Sequence, residues 1–487
     1  MILHAIFLII LAVGSVRSNE DVPALTPLDS SVSSDNSTTR LPAVCSVCSC
    51  KADIVNCSNL KLESGFVDSQ WNIKTMVTLT FMNNYLARVE PFPNLVINKL
   101  ILSHNRIVKI DDCTFKEIRN LTDLDLSHNQ LTSEKLKPNV FEGRFSDVAY
   151  EPLSRLVTLN LGHNALHTLN ADLFEHIPDL KVLILEGNPL RVIDHSTTIA
   201  IADLPYLEEL DLSYCGLKDL PDHLFHTPKY LTKLHLRGNA FTDPPTALED
   251  AQALQYLCLD ENPIQVITRE NAFPLMPNLT ELSLCGMQNL TKIGAGAFSG
   301  LISLQSLHIE NSPLFRKIHE DALIDKRNEA AVWPPIRRLE LGNNALMYLP
   351  AGLIARWDNL EVLDLSDNKW SCDCDNQYLI GSLLPGVGQK LKEYEIGSLT
   401  CAAPPEHEGK NLSSLANRHL RCLDLYEARP ERDAAVLVGL LIGVLLAIPV
   451  TLTLFVFWQR GFFFCGSQRP ATFSRAFYKR ADNDENI

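Results

Sequence analysis

The fold class this sequence predicts is an open α/β solenoid. It should carry a parallel β-sheet on its concave face, a disulfide cap at each end and one transmembrane helix behind it. Three observations lead there. The segments LTDLDLSHNQL (121–131), LVTLNLGHNAL (156–166), LKVLILEGNPL (180–190) and LEVLDLSDNKW (360–370) repeat one skeleton. Cysteines cluster on both sides of that array, in CSVCSCKADIVNC (45–57) and in CDC (372–374) with Cys401 and Cys422. The run from Ala434 to Trp458 holds no charged residue.

The chain has 487 residues, 46% hydrophobic and 21% charged, an ordinary globular balance. Its formal charge of -15 argues against nucleic acid or heparin as the main partner, because both need a basic face. Residues 1–18 read as a secretory signal peptide, with an apolar core from Ile2 to Val13 and small residues Gly14, Ser15 and Ser18 near a cleavage point. Residues 19–41 are polar and low in complexity, a disordered leader.

Aligned on L-x-x-L-x-L-x-x-N-x-L, the repeat starts at Met76, Ile97, Leu121, Leu156, Leu180, Leu207, Leu231, Leu254, Leu279, Leu304, Ile336 and Leu360. These are units 1 to 12, spanning 76–370. The spacings of 35 after Leu121 and 32 after Leu304 mark insertions. The L-x-L core alternates inward and outward as a short strand must. Leucines then stack on those of neighbouring units into one core that no unit could build alone. An asparagine at the ninth position bends the chain off the strand, and its amide can satisfy the backbone groups the bend exposes. Cys215, Met287 and Ser312 break that column. A thioether cannot replace an amide, so a local irregularity is expected at Met287. Phe115, Phe174, Phe225, Phe273 and Phe298 recur on the return segment and should pack the outer side of the core.

An open solenoid needs its ends covered. The cysteines at 42–75 and 371–423 supply the caps, and four cysteines in each allow three pairings. A zinc site at C-x-x-C-x-C is disfavoured by the secretory signal. Repeats and flanks together resemble the extracellular leucine-rich repeat family of single-pass membrane proteins with cysteine-rich caps, including its capricious/tartan and trophoblast glycoprotein types. The resemblance implies Cys45–Cys50, Cys48–Cys57, Cys372–Cys401 and Cys374–Cys422.

A juxtamembrane linker (424–433) leads to the span (434–458) and a cytoplasmic tail (459–487). The span is long enough for a ~30 Å hydrocarbon core. With the signal peptide it predicts a type I plasma membrane protein, N-terminus outside. Gly439 and Gly443 share one helix face and could bring two copies together. Cys465 is a juxtamembrane thiol suited to palmitoylation. The terminus Glu485, Asn486, Ile487 weakly resembles a ligand for a PDZ-type adaptor. Six sequons, at Asn36, Asn56, Asn120, Asn278, Asn289 and Asn411, suit a glycosylated ectodomain. Cys113 and Cys215 fall at positions expected to be buried, and Cys258 and Cys285 are placed on adjacent strands.

The concave face should carry the outward residues of each strand. Its middle is charged: Asp123 and Asp125, then Glu208, Glu209 and Asp211, then Lys233 and His235, then Gln255 and Tyr256, then Glu281. Solenoids use such surfaces for large partners. His104, His128 and His163 form one column, but no carboxylate or cysteine completes a metal set, so no metal or cofactor is expected. Nucleophile motifs, phosphate loops and HExxH are absent, and the tail is too short for a signalling domain, so no enzyme is expected. The expectation is a cell-surface recognition or adhesion receptor that binds an extracellular or cell-surface protein through the concave face. The alternative is a modulatory co-receptor that presents or sequesters a secreted ligand; a passive spacer would need no partner.

Overall fold

The computed structural model describes residues 43–325, 331–354, 359–387, 399–422 and 430–460. The signal segment, the leader with Asn36, the palmitoylation candidate Cys465 and the C-terminal Glu485 to Ile487 lie outside the described residues.

Each unit contributes one three-residue strand starting two residues after its first apolar position. The first is Thr78–Thr80, the sixth Glu209–Asp211 and the twelfth Val362–Asp364. The central leucine of each strand points inward, and the residues on either side face solvent or stand half-exposed, except Thr80, Cys258 and Ser283, which are buried. Glu209, Leu210 and Asp211 show the pattern, with Leu210 fully buried. The strands pair in parallel with leucine against leucine: Leu124 on Leu159, Leu159 on Leu183, Leu183 on Leu210. A slip of one residue would turn these leucines out to water, so the core itself fixes the register.

The main sheet has fourteen strands, because the N-terminal cap adds Ser49–Lys51 and Ile54–Asn56. Those two run antiparallel to each other, so the sheet is not wholly parallel as expected. Ile54–Asn56 then pairs in parallel with Thr78–Thr80 and seals the first unit. The disulfides are Cys45–Cys50, Cys48–Cys57, Cys372–Cys401 and Cys374–Cys422. At the far end Trp370 is buried, its indole N–H donating to the Leu365 carbonyl at 3.0 Å. The strand Trp370–Ser371 pairs with Cys401–Ala403 of the C-terminal cap, which therefore begins within the last repeat.

The asparagine column ties unit to unit. The Asn239 amide donates to the carbonyls of Leu212 and Leu236 at 2.9 Å each. Its oxygen accepts from the N–H groups of Cys215 (3.1 Å) and Leu217 (3.0 Å). Where the column breaks, substitutes differ. The Cys215 thiol reaches the Leu185 and Ser213 carbonyls at 3.4 Å. The Ser312 hydroxyl accepts from Met287 N–H at 3.1 Å. The irregularity expected at Met287 spares the strands, since Tyr256, Glu281 and Ser306 stay in register. It is taken up in the following loop, where Met287 and Leu290 are both buried. A second small sheet runs through these units, made of Val266–Ile267, Lys292–Ile293 and Lys317–Ile318. Its three isoleucines point into the same core as the leucines of the main sheet. A similar pair, Arg88–Val89 with Lys109–Ile110, joins units 1 and 2.

Phenylalanines line the outer side of the core, with Phe92, Phe115 and Phe141 in sequence at 6.4 and 6.1 Å between centroids. The insertion after unit 3 forms a 3-10 turn, Pro138–Phe141, and a bridge between Phe145 and Tyr150. Helix Pro430–Gln459 includes Ala434–Gln459, long and apolar enough by length and composition to cross a membrane. It begins inside the expected linker. Thr451, two residues past Pro449, donates its hydroxyl to the Ala447 carbonyl at 2.8 Å; the carbonyl that loses its helical partner to the proline is that of Leu445, four residues before it.

Candidate protein-binding face

The outward strand residues form two rows across the sheet. One runs Asp123, Thr158, Val182, Glu209 and the other Asp125, Asn160, Ile184, Asp211, each step a registered neighbour. All eight are half-buried. The rows continue through Lys233 and His235, Tyr256 and Cys258, Glu281 and Ser283.

Much of the charge on this face is cancelled within it. Glu209 contacts Lys233 and His235, both at 3.4 Å. His308 lies 2.7 Å from Glu340 and 3.6 Å from Glu281. The His308 Nδ1 atom hydrogen-bonds the Glu340 carboxylate, whereas the Nε2 atoms of His235 and His308 are buried without a hydrogen-bond partner among the described residues. Glu208 stands one residue before its strand, is exposed, and pairs with Lys181 of the preceding unit at 2.6 Å. It therefore belongs to the rim rather than to the two rows. Among the described residues, Asp123, Asp125 and Asp211 have no cation within ion-pair reach. The Asp125 carboxylate accepts from the Ser127 N–H (3.0 Å) and hydroxyl (2.7 Å), and Asp211 accepts from the Ser213 N–H (2.8 Å). These bonds hold both carboxylates in place and leave their charge open.

Tyr256 leans against the His235 ring at 5.2 Å, and burial pushes its hydroxyl above the usual phenol range. Burial also pushes the Cys258 thiol up to about 12. Glu310, beside the face, is raised by burial and by the neighbouring Glu340 and Asp364. Cys258 ends its strand, whereas Cys285 lies two residues beyond the next one, not on it, and both are free. Cys215 is free and buried, but Cys113 is only partly buried, contrary to expectation.

Beyond each strand, the residue before the asparagine column has positive φ. The series is Asn59, Asn83, His104, His128, His163, Gly187, Tyr214, Gly238, Glu261, Gly286, Asn311, Asn343 and Asp367, between +48° and +70°. In this column the rings of His104, His128 and His163 stack face to face at 4.1 and 4.2 Å. Ring nitrogens carry their lone pairs in the ring plane, so parallel rings cannot converge on one ion. Burial and the two neighbouring rings lower the His128 pKa. Tyr214 leans over Gly238, its hydroxyl 2.7 Å from Glu261, which also pairs with Arg237.

Asn56, Asn278 and Asn289 are exposed, and Asn120 and Asn411 half-buried. Asn56 sits on the second strand of the main sheet, between Ser49 and Thr80, and the Asn411 oxygen caps a 3-10 turn. Gly439 and Gly443 lie on the apolar helix with open space beside them. The sequence reading looked for charge and so missed Thr158, Asn160, Val182 and Ile184, the neutral centre between the acids. The signal available was their shared position in the repeat.

The family model described as Leucine rich repeat matches residues 96–144, 145–190 and 205–264. Over 384 residues the chain is 25% identical to podocan of Mus musculus, covering 71% of this chain and 60% of podocan. It is 27% identical over 309 residues to tsukushi of Gallus gallus, covering 63% and 69%. Over 330 residues it is 30% identical to the transforming growth factor beta activator LRRC32 of Pongo abelii, covering 66% and 43%. The chain thus spans well short of the full length of these relatives. Among solved structures, the FLRT2 chain in an octameric complex with latrophilin 3 and Unc5D aligns at TM-score 0.46 and 17% identity, over 80% of this chain and all of that one. The sequence matches and the geometry agree on a leucine-rich repeat solenoid with disulfides at both ends.

Proposed function

We propose that this chain is a cell-surface recognition receptor, a single-pass type I membrane protein that binds a protein partner through the concave face of units 3 to 6. The reading rests on one observation. Uncancelled carboxylates at Asp123, Asp125 and Asp211 surround a half-buried neutral patch on registered parallel strands. Binding, not catalysis, is the activity proposed. Adhesion is one form of it. The co-receptor form, presenting a secreted ligand to a signalling receptor, is favoured by the similarity to LRRC32, a transforming growth factor beta activator. On either form the helix anchors the ectodomain at the plasma membrane, Gly439 and Gly443 offer a face for a second copy, and the C-terminal Ile487 offers an adaptor site.

The test is a screen of cells displaying the full chain against secreted and cell-surface ectodomains. Val182→Asn with Ile184→Thr installs a glycan at the centre of the face; Asp172→Thr installs one on the return segment at Asn170. Loss of a captured partner with the first and retention with the second is expected. Retention with the first and loss with the second would overturn the assignment. Aggregation of expressing cells would mark adhesion, and capture of a soluble ligand without aggregation the co-receptor form.

A further inference from the structure

The two rows of units 3 to 6 define more than a location. Each reads acidic, neutral, apolar, acidic from strand to strand: Asp123 to Glu209 through Thr158 and Val182, and Asp125 to Asp211 through Asn160 and Ile184. Three strand spacings of ~4.8 Å set the acidic ends about 14 Å apart, and the rows lie about 7 Å apart along the strands. Each end therefore holds two carboxylates that can clasp one cation. One end is fully open. At the other, Glu209 is shared with Lys233 and His235, and Asp211 is open. Lys99 faces Asp123 in register, without an ion pair.

An extended segment rises ~3.3 Å per residue and turns alternate side chains to the same side. Residues i, i+2 and i+4 of such a segment, lying across the strands, span about 13 Å. That matches the separation of the acidic ends, with i+2 midway between the Thr158 and Val182 strands and within side-chain reach of Val182 and Ile184. Resting on the concave-face reading above, we infer that the partner presents an extended segment of the form basic, x, apolar, x, basic to units 3 to 6. One cation neutralises the open pair Asp123 and Asp125, the other the open Asp211 beside the shared Glu209, and the apolar residue reaches Val182 and Ile184.

The probe is a blocked, fluorescently labelled Arg-Thr-Leu-Thr-Arg peptide, with the full chain in lipid nanodiscs. Its isomer Arg-Arg-Thr-Leu-Thr and the charge-reversed Asp-Thr-Leu-Thr-Asp serve as controls. The first should bind at least about tenfold more tightly than either, and more weakly as salt rises from about 0.05 to about 0.5 M. Asp125→Gln with Asp211→Gln should cost about tenfold, while Glu361→Gln on unit 12 should not matter. Glutamine removes the charge, keeps an amide oxygen that can accept from Ser127 or Ser213 and creates no glycosylation sequon at either position, so a loss of binding reads the charge alone. Equal binding of the isomer, or an unaffected double variant, would overturn the inference. If that occurs while the glycan at position 182 still blocks partner capture, only the segment chemistry falls. If the glycan also fails to block, the concave-face reading falls with it.

Discussion

Gly238 and Gly216 allow a strain effect to be separated from a contact effect. Both lie at positive φ, +65° and +70°. A Cβ at Gly216 would meet only Arg191 Cγ, at 3.8 Å. A Cβ at Gly238 would lie 2.2 Å from two atoms of the Tyr214 ring. Left-handed backbone costs a non-glycine residue about 1–2 kcal/mol, while alanine recovers about 0.4–1 kcal/mol by narrowing the unfolded ensemble. Gly216→Ala should therefore destabilise by about 0.5–1 kcal/mol. Gly238→Ala should also evict the Tyr214 ring from its hydrogen bond to Glu261 and its contact with Arg237, 5.9 Å from the ring centroid. Each contact is worth about 0.5–1 kcal/mol at such an exposed site, so the total reaches about 2 kcal/mol. Urea unfolding of the two variants, and of each combined with Tyr214→Ala, gives a double-mutant cycle. Tyr214→Ala should restore about 1 kcal/mol to Gly238→Ala and nothing to Gly216→Ala. Equal destabilisation by the two alanines, or no rescue, would refute the packing argument.

Cys374→Ser or Cys401→Ser should be retained in the secretory pathway, because losing a native bridge costs about 2–5 kcal/mol and opens the core end; normal surface levels in both would contradict this. Glu310 is raised from its ordinary 4.5, so its carboxylate contributes stability that is complete below that value and lost as pH rises through the folded value. Glu310→Gln should therefore raise the melting temperature at pH 7.5 and not at pH 4, and a gain of equal size at both would refute it. Burial pushes the Cys215 and Cys258 thiols up to about 12. Iodoacetamide at pH 8 should leave both unlabelled in the folded chain and label them in urea, as peptide mapping would show.

The solenoid was legible because its period is carried by residues whose chemistry permits few substitutes. A leucine facing the core, or an asparagine bonded on both sides as Asn239 is, leaves a mark at a fixed spacing. The positive-φ column was not legible, since histidine, glycine, tyrosine, glutamate and asparagine all occupy it. What unites them is a backbone angle, and where a side chain is present it can lean over the next unit, as His163 leans over Gly187 and Tyr214 over Gly238. The face was half legible. Its acids were visible, but which of them remain uncompensated depends on cross-strand neighbours 23 to 27 residues away, as with Glu208 and Lys181 or Glu209 and Lys233. The hairpin at Phe145 and Tyr150 left no periodic trace, because a single bridge has no pattern to repeat.

The second small sheet in units 8 to 10 and its counterpart in units 1 and 2 bear on how the arc bends. A beam laced along both flanges resists flexure more than one laced along a single flange. Units 3 to 6 have no such second sheet; beside the main sheet and the asparagine ties they are joined by a single bridge, Thr132 to Ala165, and by side-chain bonds such as Thr168 to Asp194. Units 1 and 2 and units 8 to 10 are thus laced by backbone ladders on two sides of the core, and the stretch under the acidic patch on one. The arc can tighten around an occupant there without breaking a backbone ladder, and its curvature becomes a degree of freedom that the fit itself sets.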